Sequence, residues 1–189
     1  MSDKQNGDPQ TLMLLAKEGD REAYGALYEQ FFTPVFRYIY RRTQDRETAE
    51  DLAQTVFLKI FQSVKNFTDQ GISPLAYFFA TARNAVIDFG KKKKEVTLDD
   101  SESGQIEIEA DKSENPDVKM KQKDMQKDLE IALRTLPADQ REALSLRFLS
   151  GLKNAEISVV MKKSEESIRQ SQCRALQTLR KNTSLKIHL

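Results

Sequence analysis

The sequence predicts an all-α protein made of two small helical domains joined by a flexible acidic linker. Three observations predict it. Apolar residues recur at spacings of three and four over long stretches, the period of an amphipathic helix. Only 7 Gly and 5 Pro occur in 189 residues, so breakers are rare. Residues 136–181 read in order as helix, break, short helix, tight turn and basic helix, which makes the C-terminal domain a helix-turn-helix.

The first helical unit is predicted from about Thr11 to Lys94. Ala23, Leu27, Phe31, Val35 and Tyr38 follow at three- and four-residue steps and share one face. Pro34 falls among them, so a kink or a break between two helices is predicted there. Asp45 is the predicted N-cap of the next helix, whose apolar stripe is Leu52, Val56, Ile60 and Phe61. Residues 66–73, NFTDQGIS, place Gly71 among turn-forming polar residues and read as a loop. Ser73 followed by Pro74 is a helix start, a capping serine and then proline at the first helical position. That helix is predicted to run through Tyr77, Phe78, Ala82 and Val86 to about Phe89, with Gly90 as its stop.

Beyond it, residues 96–115 carry few large apolar side chains and no helical period. They cannot bury enough surface to offset their ordering entropy, so they read as linker. Ile106 and Ile108 are the only hint of strand alternation. The second unit starts near Pro116. Met125, Leu129, Leu133 and Leu136 predict an amphipathic helix, and Pro137 marks the break to a helix over about 138–150 that Gly151 ends. A short helix is predicted over Asn154–Met161 and a turn over 162–164. Ser164 then caps the last helix, with Glu165 and Glu166 at the positive end of its dipole. The predicted boundaries are therefore 10–95, a linker over 96–124, and 125–189.

Net charge is only +1, but its distribution is uneven. Residues 95–117 hold nine acidic residues against Lys112, a net of −8. From Lys162 onward seven basic residues face Glu165 and Glu166, a net of +5. Lys91, Lys92, Lys93 and Lys94 form a second basic block. Two basic patches flanking an acidic strip suit a partner rich in phosphate.

Several classes of function are excluded or disfavoured. One cysteine, Cys173, permits no internal disulfide and no cysteine-based zinc site, and it reads as a small semi-buried residue. The single histidine, His188, stands in the tail, where a histidine-dependent catalytic triad has nothing to be built from. No enzyme activity, cofactor or metal is expected. The N-terminus shows no basic-then-apolar leader pattern, and the most apolar stretch, residues 75–82, is far shorter than the ~20 residues that span a bilayer. A cytoplasmic protein is expected.

Three constellations carry functional readings. In the last helix, Ile168, Ala175, Leu176 and Leu179 are expected to pack inward, leaving Arg169, Gln170, Ser171 and Arg174 outward. Arginine pairs with guanine and glutamine with adenine in the major groove, and Glu166 can accept from a cytosine amine or serve the helix dipole. The bland reading is a solvated basic face. Glu50, Asp51 and Gln54 share a helix face, either solvated or a protein-docking surface. The four lysines 91–94 either complement a helix C-terminus or meet phosphates. Phe67 and Ile72, in a polar loop, can meet an unstacked base, whereas Tyr77, Phe78, Phe79 and Phe89 read as core.

These segments, in this order, resemble the sigma-70 family of bacterial RNA polymerase sigma factors, in its two-domain extracytoplasmic-function (ECF) group. Residues 49–57, AEDLAQTVF, are similar to the family's A-E-D-L-x-Q-E-x-F, with Thr55 at the second Glu. Residues 77–84, YFFATARN, with Asp88, are similar to W-L-x-x-I-A-R-N-x-x-x-D, with Tyr77 at the Trp. In the second domain Leu136, Pro137, Arg141, Glu142, Leu146, Arg147, Glu156, Ile157, Ile168, Arg174, Ala175, Leu179 and Arg180 match. Lys162 stands where Gly is frequent, Gln172 at a usual core Leu, and residues 167–171 replace a frequent T-V-K-S-R.

The resemblance implies roles. Glu50, Asp51 and Gln54 would dock on the β′ clamp helices of core RNA polymerase, and the β flap would be a further contact. Phe67, Ile72, Arg83, Asn84 and Lys91, Lys92, Lys93 and Lys94 would engage the −10 promoter region. Glu166, Arg169, Gln170, Ser171 and Arg174 would read the −35 element. The acidic linker would thread the polymerase cleft, and a cognate anti-sigma factor is a further expected partner. The implied function is promoter-specific initiation. A stand-alone helix-turn-helix regulator and a helical adaptor without DNA binding are the alternatives.

Overall fold

The computed structural model describes residues 7–69, 71–96, 132–133 and 135–186. All regular structure among them is helical, as the periodicity predicts. By internal contacts the chain divides into two units, Met1–Gly104 with Ala155–Lys162, and Gln105–Asn154 with Lys163–Leu189.

Helix α1 (Pro9–Lys17) opens with Asp8, whose carboxylate accepts from the Thr11 amide at 3.0 Å. It buries Leu12, Met13 and Ala16. Gly19, at φ +101°, lets the chain turn into α2 (Arg21–Thr43). Asp20 Oδ1 caps α2, taking the amides of Glu22 at 2.9 Å and Ala23 at 3.1 Å. Ala23, Leu27, Phe31, Val35 and Tyr38 are all buried, as their spacing predicts.

Of the kink or break predicted at Pro34, the break does not occur: α2 runs through it. Proline removes one backbone hydrogen bond from the ladder, but Phe31 and Val35, buried on either side, anchor both halves of the helix in the same core. At its C-terminus Gln44 adopts φ 58° and its amide bonds back to the Tyr40 carbonyl at 2.9 Å.

Helix α3 (Arg46–Ser63) is capped by Asp45 as predicted, with the Thr48 amide 2.8 Å from Oδ2. It buries Val56 and Ile60, half-buries Leu52 and leaves Phe61 exposed. A single 3-10 turn, Val64–Asn66, leads into the loop. Helix α4 (Pro74–Val96) starts where Ser73 and Pro74 place it, with the Ala76 amide on the Ser73 carbonyl at 2.9 Å. It does not stop at Gly90. That glycine keeps a helical φ, and a glycine ends a helix only by turning left-handed.

Aromatic edges knit the first unit. Phe78 on α4 meets Phe31 of α2 at 5.1 Å and Phe57 of α3 at 5.0 Å, and Phe79 meets Tyr38 edge-on at 5.1 Å. Such pairs add about 0.5–1.5 kcal/mol each beyond their burial. Helix α2 packs against α1, α3 and α4, which places the exposed side of α3 and the loop before α4 on one rigid frame.

Along the C-terminal part of the chain, α5 (Ala138–Leu144) continues into one wide π turn, Ser145–Leu149, rather than a regular helix to residue 150. The Ser150 amide closes on Ser145 at 3.2 Å. Gly151, at φ +72°, then turns the chain toward α6 (Asn154–Met161), which lies where the sequence predicts it. Lys162 takes the left-handed φ of 53° before α7 (Glu165–Lys186). Leu133, Leu136, Leu144 and Ala175 form a buried cluster with Leu149 and Leu179 packed on it. Leu176, expected on that face, is 49% exposed, because it is rotated away from the Ile168–Ala175–Leu179 line. Met125, Leu129 and His188, and the linker apart from Val96, lie outside the described residues; Val96 is the last residue of α4.

Candidate functional site

The α3 surface is built by helical spacing. Ala49, Ala53, Val56 and Ile60 turn into the core, which leaves Asp51 and Gln54 exposed. Glu50 is half-buried, and its carboxylate accepts from Arg46 Nε at 2.9 Å, an i,i+4 pair. Asp51 is therefore the outward acid of the three. Leu58, 57% exposed, and Phe61, 43% exposed, extend the same face at +7 and +10 from Asp51. Sequence reasoning missed Leu58, although its place four residues after Gln54 was the available signal.

The loop before α4 differs from expectation in one respect. Phe67 is only 9% exposed, and its ring meets Tyr77 edge-on at 5.9 Å. Tyr77 in turn reaches Ser63 Oγ at 3.2 Å. Phe67 thus does not present its ring to solvent. An apolar ring in a polar loop gains more by covering an aromatic neighbour than by standing in water. Gly71, at φ +69°, donates its amide to Asp69 Oδ1 at 2.8 Å, and that bond holds the Asp69 carboxyl below its ordinary range. Ile72 is half-buried. On α4, Arg83 is half-buried, while Asn84, Lys91 and Lys92 are exposed. Lys93 and Lys94 continue the α4 backbone.

The α7 surface starts with its cap. Ser164 Oγ accepts from the Ser167 amide at 3.2 Å, as predicted. Ile168 and Ala175 are fully buried, so Glu166, Arg169, Gln170 and Arg174 point outward, and Ser171 is half-buried. The outward groups are tied together. Glu166 Oε2 accepts from Arg169 Nε at 3.2 Å and its Oε1 accepts from Gln170 Nε2 at 3.2 Å. Arg169 Nη1 also lies 3.7 Å from Glu165. Gln172, on the inward line, donates to Asn154 Oδ1 at 3.1 Å. Cys173 is exposed rather than semi-buried, since it falls off that line. The described residues hold no cluster of side chains fit for a metal ion, and no described helix is long and apolar enough to cross a membrane.

The three surfaces are an acidic-to-apolar helix face, a basic helix after a loop, and a capped helix with arginine and glutamine outward. Comparison with known proteins bears on them directly. Residues 27–96 match the family model for sigma-70 region 2, and residues 126–179 match that for sigma-70 region 4. The chain is 36% identical to the ECF RNA polymerase sigma factor BldN of Streptomyces coelicolor over 87% of its length, and spans 61% of that protein. It is 32% identical to the ECF RNA polymerase sigma factor SigM of Bacillus subtilis, over 82% of this chain and 91% of SigM. Two solved structures share the fold at a TM-score of 0.67. One is CnrH in complex with the cytosolic domain of CnrY, 15% identical over 95% of this chain and 99% of that one. The other is the sigma factor RpoE in complex with the anti-sigma factor NepR from Bartonella quintana, 21% identical over 84% of this chain and 94% of that one. The chain belongs to the sigma-70 family, in its ECF group of RNA polymerase sigma factors.

Proposed function

We propose that this chain acts in the cytoplasm, without catalysis of its own, by binding core RNA polymerase and directing initiation at a restricted promoter set. Residues 10–95 form the polymerase-docking and −10 domain, residues 96–124 the acidic linker and residues 125–189 the −35 domain. The α3 face with Asp51 and Gln54 docks on the β′ clamp helices, and the −35 domain also meets the β flap. Asn84, Arg83, Lys91, Lys92, Lys93 and Lys94, with Ile72 and Phe67 of the loop, engage the −10 region. For Phe67 to stack on a base, its ring must leave Tyr77. Unstacking a base costs roughly a few kcal/mol. On α7, Arg169, Gln170, Ser171 and Arg174 read the −35 element. A cognate anti-sigma factor fits the same account, since related folds are known bound to such proteins.

The observation that carries this reading is the outward set Arg169, Gln170 and Arg174 on a capped helix, in the same chain as the exposed Asp51 and Gln54. Transcription by purified core polymerase on a genomic fragment library, with and without the protein, tests it. New, discrete start sites that require the protein are expected. Palindromic DNA binding by the protein alone, with no new start sites, would favour a stand-alone regulator instead.

A further inference from the structure

Arg169 and Gln170 are long, exposed side chains, and such side chains are costly to order on DNA. In this structure both are hydrogen-bonded to one carboxylate. Glu166 lies one helical turn before both, at i+3 and i+4, and gives one oxygen to each: Oε2 to Arg169 Nε and Oε1 to Gln170 Nε2, both at 3.2 Å. Glu165 adds a longer contact, 3.7 Å, to Arg169 Nη1 alone.

We infer that Glu166 is a specificity-determining residue that holds Arg169 and Gln170 toward base edges and away from phosphates. The inference rests on the −35 reading of α7 given above. With Nε occupied, the guanidinium is fixed in plane and can still extend an end toward a guanine. Gln170, steadied through its amide nitrogen, keeps its carbonyl oxygen free. A flexible arginine would instead settle on the nearest phosphate, a contact that carries no sequence information. The Glu166 carboxylate also repels the phosphate backbone, so it weakens binding to arbitrary DNA. Removing it is therefore expected to lower discrimination and raise non-specific binding together. Loss of a helix-dipole contribution alone would lower both.

The test uses the full chain with core polymerase and a pool of random-sequence duplex DNA, sequencing the bound fraction. Arg169→Ala and Gln170→Ala define the base positions that these side chains read. At those positions Glu166→Ala should reduce base preference roughly five- to tenfold, within the range of one side chain–base contact. It should also raise binding to the unselected pool at least about twofold. Glu165→Ala should leave the preferences near wild type. Wild-type preferences in Glu166→Ala would overturn the inference, as would a loss of specific and non-specific binding together. If neither Arg169→Ala nor Gln170→Ala alters any preference, the −35 reading falls and the inference with it. That outcome is distinct, because it appears without the Glu166 variant.

Discussion

Gln172 Nε2 donates to Asn154 Oδ1 at 3.1 Å, tying the inward side of α7 to the first residue of α6. The family resemblance leads to a leucine at position 172. Here a half-buried amide occupies the Ile168–Ala175 line, and the hydrogen bond satisfies what would otherwise be a polar group at the edge of an apolar seam. A double-mutant cycle of Gln172→Ala and Asn154→Ala by urea unfolding should return a coupling of about 0.5–1.5 kcal/mol. Additive losses would remove this bond from the account of α7's placement.

Lys162 carries a side chain at φ 53°, where L-residues other than Gly are strained by about 1–2 kcal/mol. Lys162→Gly relieves that strain at the turn before α7, partly offset by a more flexible unfolded chain. Thermal unfolding should show a rise of about 2–4 °C, the shift expected for ~1 kcal/mol in a chain of this size. An unchanged or lower midpoint would contradict the left-handed turn.

The Tyr24 hydroxyl donates to the Phe57 carbonyl at 2.5 Å, and burial pushes its ionisation well above the ordinary 10.0. The folded form therefore holds the phenol proton more tightly than the unfolded form. Its contribution to stability is complete below pH 10 and falls as the pH climbs past it. Ultraviolet titration of the folded protein should show a late phenol ionisation that Tyr24→Phe removes. A normal phenol titration for all five tyrosines would disprove the buried bond.

The two basic surfaces should behave differently on DNA. Arg174→Ala is expected to relax preference at one base pair of the −35 element, a loss of about 1–3 kcal/mol in discrimination. Lys91→Ala should weaken binding evenly across sequences and reduce the salt slope by about 1. Footprints and salt titrations of the holoenzyme separate the two. A sequence-dependent loss in Lys91→Ala would reverse the assignment of that lysine to phosphate.

Features set by adjacent residues were legible in the sequence. Asp45, Ser164 and the Ser73–Pro74 pair announced their helices because a cap acts over three residues. The face Ala23 to Tyr38 was legible because burial follows the helical period. What depended on distant neighbours was not. Pro34 breaks a helix only when packing on either side fails to hold it, and Phe31 and Val35 hold it. Phe67 read as a loop aromatic able to meet an unstacked base, but its partner Tyr77 lies on the following helix, beyond any local pattern. Asp51, Gln54, Arg169, Gln170 and Arg174 were legible as surface residues by spacing, whereas Leu58, Cys173 and Leu176 were not, and the Glu166 bonds to Arg169 and Gln170 arise only in the folded helix.

The central claim is that Asp51, an exposed acid of α3, carries polymerase docking. Asp51 is exposed, so Asp51→Lys reverses its charge without disturbing the core. The direct measurement is capture of purified core RNA polymerase by the tagged protein, wild type beside Asp51→Lys, with circular dichroism to confirm that both are folded. The account predicts stoichiometric capture by the wild type and at least about a tenfold loss in the variant, the effect of truncating or reversing one charge at a desolvated contact. Equal capture by a folded Asp51→Lys variant would contradict it.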